Sequence, residues 1–165
     1  MFFRSSLFVI VAVLFVAVPA TQAQSALFEG DWSLTQVTHD PPVLNAAQPP
    51  NVALSIDLQS GRVVIDESRD DTAVRSFVLI TDGEPRSVGP VTVQRPLQRL
   101  VEARWEGNQL VVFRQWSRRD DAGQLATIVI EETWAISPGA SFLDVTQRRT
   151  VGDRVVTTTN RYSRQ

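Results

Sequence analysis

The residues of this chain that could do chemistry form a small polar set, and their spacing fits the inner faces of neighbouring β-strands. Glu132, Gln147 and Thr158 fall at equivalent positions of three consecutive segments in which apolar residues alternate with polar ones. Arg149 is predicted to lie on the diagonal from Glu132, within reach of its long side chain. We therefore predict that Glu132 is buried and paired with Arg149, and that Gln147 and Thr158 complete its hydrogen bonds.

This polar row has two interpretations. It is either an anchor for the head group of a ligand inside an apolar cavity, or a self-satisfied network, because a buried charge must be paired. Arg114 has the same inward parity, and an unpaired Arg114 would favour an anionic head group. The other candidates for contact with a ligand are inward-facing aromatic residues, which more often fill cores: Trp105, Trp116, Trp134 and Tyr162.

Composition excludes several kinds of site. The chain has no Cys, which excludes a disulfide, a thiolate metal site and a cysteine nucleophile. Its single His, His39, excludes a multi-histidine metal site, and no G-x-S-x-G nucleophile elbow is present. A net charge of −2 does not favour nucleic acid as a partner. We predict a protein that is not an enzyme and that has no metal and no cofactor.

The elements that must position the polar row are β-strands. Leu125–Ile136, LATIVIEETWAI, alternates between the two faces and carries one carboxylate on its apolar face. Further alternating segments are joined by two-residue turns at Ser60-Gly61, Gly107-Asn108 and Gly152-Asp153. No segment has a helical pattern. The chain is therefore predicted to be all-β, an antiparallel up-and-down meander of eight to ten strands closed into a barrel, which removes the sheet edges.

Turn positions and apolar parity also predict the register of the strands. Glu132 is expected opposite Gln147 on the following strand. For the preceding hairpin, closed by Arg118–Gln124, we expect Val112 opposite Ile130.

Two proline-containing stretches break the strand pattern. Thr38–Asn51 follows a first strand at Asp31–Val37, contains four prolines and is predicted to form a flap over the open end of the barrel. Glu84–Gln98 contains three more prolines, which limit it to a short edge strand around Val91–Arg95 at most.

The N-terminus has the pattern of a secretory signal peptide. Arg4 precedes an apolar run, Leu7–Val18, and small residues follow at Ala20 and Ala23. The run is shorter than the ~20 residues that a membrane anchor needs. We predict a signal peptide over residues 1–23, a single domain over residues 24–165, a periplasmic or secreted location, and no membrane span after cleavage.

Gly30-Asp31-Trp32 at the start of the first strand resembles the G-x-W element of lipocalins. The resemblance extends to the long loop after that strand, the meander, the mature length and the late arginines. The family's second motif, a T-D-Y-type turn, is not matched, because Thr81-Asp82-Gly83 has only the chemistry of a turn. In lipocalins the Trp packs at the closed end of the barrel beneath an Arg of the last strand, which implies Trp32 and Arg164 here. The run ITDGE…ARWEGNQLVV…EETWAIS…LDV…RYSR is also similar to small exported bacterial proteins described as lipocalin-like, whose function is undefined.

The resemblance implies a non-catalytic module that binds a small apolar or amphiphilic molecule in the barrel. The alternative is a ligand-free envelope or interaction domain with a solidly packed interior. A cavity of roughly several hundred Å³ would favour the ligand, whereas interdigitated Trp105, Trp116 and Trp134 would favour the packed domain.

Overall fold

Ten antiparallel strands make up most of the computed structural model, which describes residues 25–42, 51–87, 99–119 and 123–165. The strands are β1 Gly30–Asp40, β2 Val52–Gln59, β3 Arg62–Arg69, β4 Thr72–Ile80, β5 Arg86–Ser87, β6 Arg99–Glu106, β7 Gln109–Arg119, β8 Leu125–Ile136, β9 Phe142–Val151 and β10 Arg154–Arg164. A short 3-10 helix, Ala26–Phe28, precedes β1. Within these residues the structure has no helix of the length and apolar character needed to span a membrane. The predicted all-β antiparallel meander is confirmed.

The strands form one sheet that wraps around so that β1 pairs with β10 and the two ends of the sheet are β4 and β5. These ends meet at one bridge, where Asp82 pairs with Arg104 and the Gly83 N–H donates to the Ala103 carbonyl at 2.9 Å. Beyond this bridge no ladder of hydrogen bonds joins β4 to β5 or β6 in the described residues. We call this interruption, between β4 on one side and β5 and β6 on the other, the seam.

The turn at the bridge is fastened by a fork of two short hydrogen bonds. Both terminal nitrogens of Arg86 donate to the Asp82 carboxylate, at 2.6 and 2.5 Å, and the Glu84 N–H donates to it at 3.0 Å. These contacts with the Arg86 guanidinium, and secondarily with the backbone, lower the pKa of Asp82 to about 2. The Asp82–Arg104 bridge therefore closes one end of the seam, whereas the rest of the seam has no backbone ladder in the described residues.

The hydrophobic core fills the end of the barrel at which β1 begins. Trp32 is completely buried there, and Trp105 packs edge to face on Phe28 with ring centroids 5.1 Å apart. The inward residues of the other strands complete the cluster: Val52, Leu54, Ile56, Val63, Ile65, Leu79, Ala103, Leu110, Val112, Trp134, Leu143, Val145 and Tyr162. Each Val, Leu or Ile side chain among them contributes roughly 1.5–3 kcal/mol by leaving water. This end of the barrel is packed solid.

Most of the predicted register is confirmed, but one hairpin differs. Glu132 pairs with Gln147 as predicted, whereas Val112 pairs with Glu132 and not with Ile130. The β7–β8 pairs are symmetric about position 122, one residue later than the centre of the predicted turn, Arg118–Gln124. Moving the centre of a hairpin by one residue moves every pair by two, which changes each partner and leaves each residue on its predicted face.

The proline-containing stretches are only partly described. β1 continues through Asp40, so residues 38–40 belong to a strand and the predicted start of the flap was wrong. Most of the remaining flap, residues 43–50, lies outside the described residues, as does the predicted edge strand around Val91–Arg95. The signal peptide over residues 1–23 lies outside them too.

Candidate ligand-binding site

Glu132 is a buried carboxylate with three donors. Its residue is 3 % exposed. The Gln147 Nε2 donates to Oε1 at 3.0 Å, and the Trp134 indole N–H donates to Oε2 at 3.2 Å. Arg114 Nη1 lies 3.3 Å from Oε1 and supplies the opposite charge. Because an ionised carboxylate only accepts hydrogen bonds, this arrangement satisfies the buried charge.

The predicted partner of Glu132 was therefore wrong, and the corrected register explains why. Arg114 and Arg149 both pair with Ile130, so each lies on a diagonal from Glu132, one on either side. Arg149 is exposed, whereas the side chain of Arg114 is 18 % exposed and reaches the carboxylate. Thr158 also differs from the prediction, because its hydroxyl lies 3.1 Å from His39 Nδ1.

A second carboxylate–arginine pair lies on the other side of the seam, on β3 and β4. Arg75 donates from Nε to Glu67 Oε2 at 2.7 Å, and its Nη2 lies 2.5 Å from the same oxygen. The Glu67 side chain is 10 % exposed and that of Arg75 is 56 % exposed, so this pair extends from the interior to the surface.

Tyr162 is buried, and both of these carboxylates act on its pKa. Burial raises its pKa to about 12, and the negative charge of Glu67 adds to the increase, while a hydrogen bond with Asn160 acts in the opposite direction. Glu132 contributes in the same sense as Glu67, more weakly. The raised pKa reflects the cost of placing a negative charge on this buried phenol.

The two pairs are connected through the ring of Phe77. The guanidinium carbon of Arg75 on β4 and that of Arg114 on β7 each lie 5.2 Å from the centroid of this ring. Because β4 and β7 are on opposite sides of the seam, the contact of Arg114 with Phe77 crosses it. Contacts of this kind contribute about 0.5–2 kcal/mol each, more where water is excluded.

A groove of about 480 Å³ opens along the seam beside these residues. Its lining consists of three arginines, two aromatic residues and four aliphatic ones: Arg75, Arg99, Arg114, Phe77, Trp116, Val78, Leu79, Leu100 and Val101. Leu79 belongs to the core cluster, and Phe77 and Val101 pack against it. The groove therefore leads from the surface to the interior of the barrel.

The predicted site residues are divided among three places. Arg114 and Trp116 line the groove. Glu132, Trp134 and Tyr162 are buried, Trp105 packs in the core at the closed end, and Arg149 is exposed. The three tryptophans thus do not interdigitate as one set, and a contact of any of these residues with a ligand stays a prediction.

The contact implied at the closed end is present. The guanidinium carbon of Arg164 lies 4.8 Å from the centroid of the Trp32 ring, and the two residues pair in the β1–β10 ladder. Arg164 Nη2 also donates to the carbonyls of Leu27 and Glu29, at 2.7 and 3.0 Å. These bonds fasten the segment before β1 across the end of the barrel.

Seven of the nine groove residues were not among the predicted site residues, and the charged and aromatic ones among them are Arg75, Phe77 and Arg99. Arg75 and Phe77 precede Leu79 at steps of two along β4, so the inward parity of that strand could have found them. The pairing of Glu67 with Arg75 was missed because Glu67–Thr72 reads as a polar connection, whereas β3 continues to Arg69. No group of three potential metal-ligating side chains occurs among the described residues.

Comparisons with known proteins show the fold alone. No protein-family model and no curated protein matches the chain. Zebrafish ileal bile acid-binding protein in complex with cholic acid matches 84 % of this chain and 99 % of its own, with a TM-score of 0.54 at 12 % identity. The Schistosoma mansoni fatty acid binding protein in complex with arachidonic acid matches 86 % of this chain and 98 % of its own, with a TM-score of 0.53 at 15 % identity. Caenorhabditis elegans lipid binding protein 8 matches 85 % of this chain and 96 % of its own, with a TM-score of 0.51 at 11 % identity.

Proposed function

We propose that this protein is a non-catalytic carrier that binds a small apolar or amphiphilic molecule at the seam groove. The observation that carries the proposal is the groove itself, which has a volume of about 480 Å³ and reaches from the surface to the inward residues of β4, β6 and β7. Ligand pockets typically measure ~300–1,000 Å³ and combine apolar and aromatic walls with a few polar groups. This groove has that volume and that mixture of residues.

The division of the barrel into two parts supports a ligand over a packed interaction domain. The closed end is filled by Trp32, Phe28, Trp105 and Trp134. Trp116, by contrast, faces the groove and is only half-buried. Two of the structures with this fold carry cholic acid and arachidonic acid in their names, both of them amphiphiles. Their ligands agree with the proposal in chemical class.

We also propose that the carrier works outside the cytoplasm, in the periplasm or as a secreted protein. The support is the arrangement of Arg4, the apolar run Leu7–Val18 and the small residues Ala20 and Ala23. Cell fractionation and N-terminal sequencing of the native protein test this. A mature N-terminus near residue 21 or 24 in the exported fraction is expected, and an uncleaved cytoplasmic protein would refute it.

Ligand binding is tested by displacement of the neutral fluorescent probe N-phenyl-1-naphthylamine and by native mass spectrometry of protein purified from its own cells. Trp116→Ala should weaken probe binding about tenfold, which corresponds to ~1.4 kcal/mol. Phe113→Ala, on the outer face of the same strand, is the matched control and should leave binding unchanged. If the wild-type protein binds neither the probe nor a co-purifying molecule, the ligand-free interaction domain is the better interpretation.

A further inference from the structure

We infer that the seam groove selects an amphiphile with a single negative charge, held by Arg99 and Arg114 beside the Phe77 ring. This inference rests on the proposed function, because it names the chemical class of the molecule that the groove would take. It is carried by the charges, exposure and contacts of the residues around the groove.

The first argument is the balance of charge. Three arginines line the groove, and two carboxylates contact them, Glu67 on Arg75 and Glu132 on Arg114. Arg99 has no carboxylate partner in the described part of the chain. Among the described residues one positive charge therefore remains at the groove, and a ligand with one negative charge would neutralise it.

The second argument is that the donors of Arg114 are not used up. A guanidinium has five N–H donors, and Arg114 makes one ion-pair contact with Glu132, at 3.3 Å. Glu132 already accepts bonds from Gln147 and Trp134, so it does not need a bidentate contact. Arg114 can keep Glu132 satisfied and donate to a second anion at the same time. A carboxylate, which is planar, suits such a fork of donors, and a sulfate suits it too.

The third argument is the partial burial of the site. The Arg114 side chain is 18 % exposed and lies against the Phe77 ring, so an anion beside it would be less screened than on the open surface. Trp116 and Val101 supply adjacent apolar surface for the body of the ligand. The groove thus joins a positively charged region to an apolar one. A neutral or cationic amphiphile would match this combination less well than an anionic one.

The test compares three probes with one hydrocarbon chain and different head groups: dodecanoate, dodecanol and dodecylamine. Each displaces N-phenyl-1-naphthylamine from the full-length mature protein at about pH 7, where the acid is anionic and the amine cationic. Dodecanoate should bind about tenfold more tightly than dodecanol, which corresponds to ~1.4 kcal/mol of binding free energy. Dodecylamine should bind most weakly of the three. The preference should shrink between about 20 mM and about 500 mM salt, because salt screens partly exposed charges.

Two variants locate the charge. Arg99→Met should reduce the preference for dodecanoate over dodecanol. The double variant Arg114→Met/Glu132→Gln should do the same without leaving either charge buried alone. Arg148→Met, which removes an outer-face arginine paired with Glu131 at 2.8 Å, is the matched control. Circular dichroism confirms that each variant is folded.

The outcomes separate this inference from the proposed function. Equal affinity for the three probes, or a preference for dodecanoate that survives both groove variants, would overturn the inference while leaving the carrier function intact. Failure of every probe to bind, together with the absence of a co-purifying molecule, would instead refute the carrier function.

Discussion

At the scale of single residues, the pair of Glu132 and Arg114 is the most informative interaction to break. Arg114→Met leaves the Glu132 carboxylate buried without its partner and should lower the free energy of unfolding by about 3 kcal/mol. Glu132→Gln should cost less, because the Arg114 side chain that it leaves unpaired is 18 % exposed. The double variant should lose clearly less than the sum, because it strands neither charge. Urea denaturation of the wild type and the three variants measures this coupling. Additive losses would show that the two side chains do not interact.

Arg149 supplies the control for that cycle. It lies on the other diagonal from Glu132 and is exposed, so Arg149→Met should change the free energy of unfolding by no more than about 0.5 kcal/mol. A loss comparable to that of Arg114→Met would favour the pairing predicted from the sequence over the one in the structure.

The burial of Tyr162 predicts a specific loss of stability in alkali. Its pKa is raised from 10.0 to about 12 in the folded protein, so the folded state keeps a proton that the unfolded state releases. Stability should be unaffected below pH 10 and should fall between pH 10 and 12, by about 2–3 kcal/mol for a shift of two units. Denaturation as a function of pH measures this, and Tyr162→Phe should remove the dependence.

The composition makes that experiment unusually clean. Tyr162 is the only tyrosine of the chain, which has no cysteine and no lysine, so no other side chain releases a proton in this range of pH. If Tyr162→Phe loses stability with the same slope, burial of the phenol is not the cause.

Sequence reasoning predicted the face of each of these residues but not every partner. Glu132, Trp134 and Arg114 were placed inside because successive side chains of a strand point to opposite faces. The partner of Glu132 depends on the centre of the β7–β8 turn, and the residues between Arg119 and Leu125 carry no two-residue turn signal that would define it.

At the scale of elements, the contact of Arg164 with Trp32 joins the first and last strands at the closed end. Arg164→Ala removes the contact with the ring and two bonds to the backbone carbonyls of Leu27 and Glu29. It should lower the free energy of unfolding by about 1–2 kcal/mol. Thermal and urea denaturation measure the loss. Arg154→Ala, at the exposed other end of β10, is the control and should be nearly neutral.

The elements that the sequence predicted well are those joined by tight turns. Gly61 and Gly152 have φ values of 69° and 56°, a conformation that glycine adopts without a steric penalty, so their positions define the hairpins on either side. The ends of β1 and β3 were less predictable. Their last residues, Thr38–Asp40 and Glu67–Arg69, are polar or charged and resemble a loop in composition, although the backbone pairing continues through them.

At the scale of the whole molecule, the seam is the place where the barrel differs from a fully hydrogen-bonded cylinder. β8 is paired along both edges, whereas β4 is paired with β3 alone in the described residues. Alternate amides of such an edge strand have no partner strand. No single segment of the sequence predicts this, because the seam depends on how the two ends of the sheet meet.

Hydrogen exchange should therefore reveal the seam as the first part of the sheet to open. Amides of β4 should exchange at least about tenfold faster than those of β8, because local opening there breaks fewer hydrogen bonds. Any ligand that binds the folded state slows the amides that exchange through global unfolding, and β9 measures that uniform effect. Saturating dodecanoate should slow exchange in β4 and β6 by more than in β9 if the ligand lies in the groove between them. Protection of β4 and β6 no greater than that of β9 would indicate a ligand bound elsewhere. Equal exchange of β4 and β8 without ligand would show that the seam is as firmly closed as the rest of the barrel.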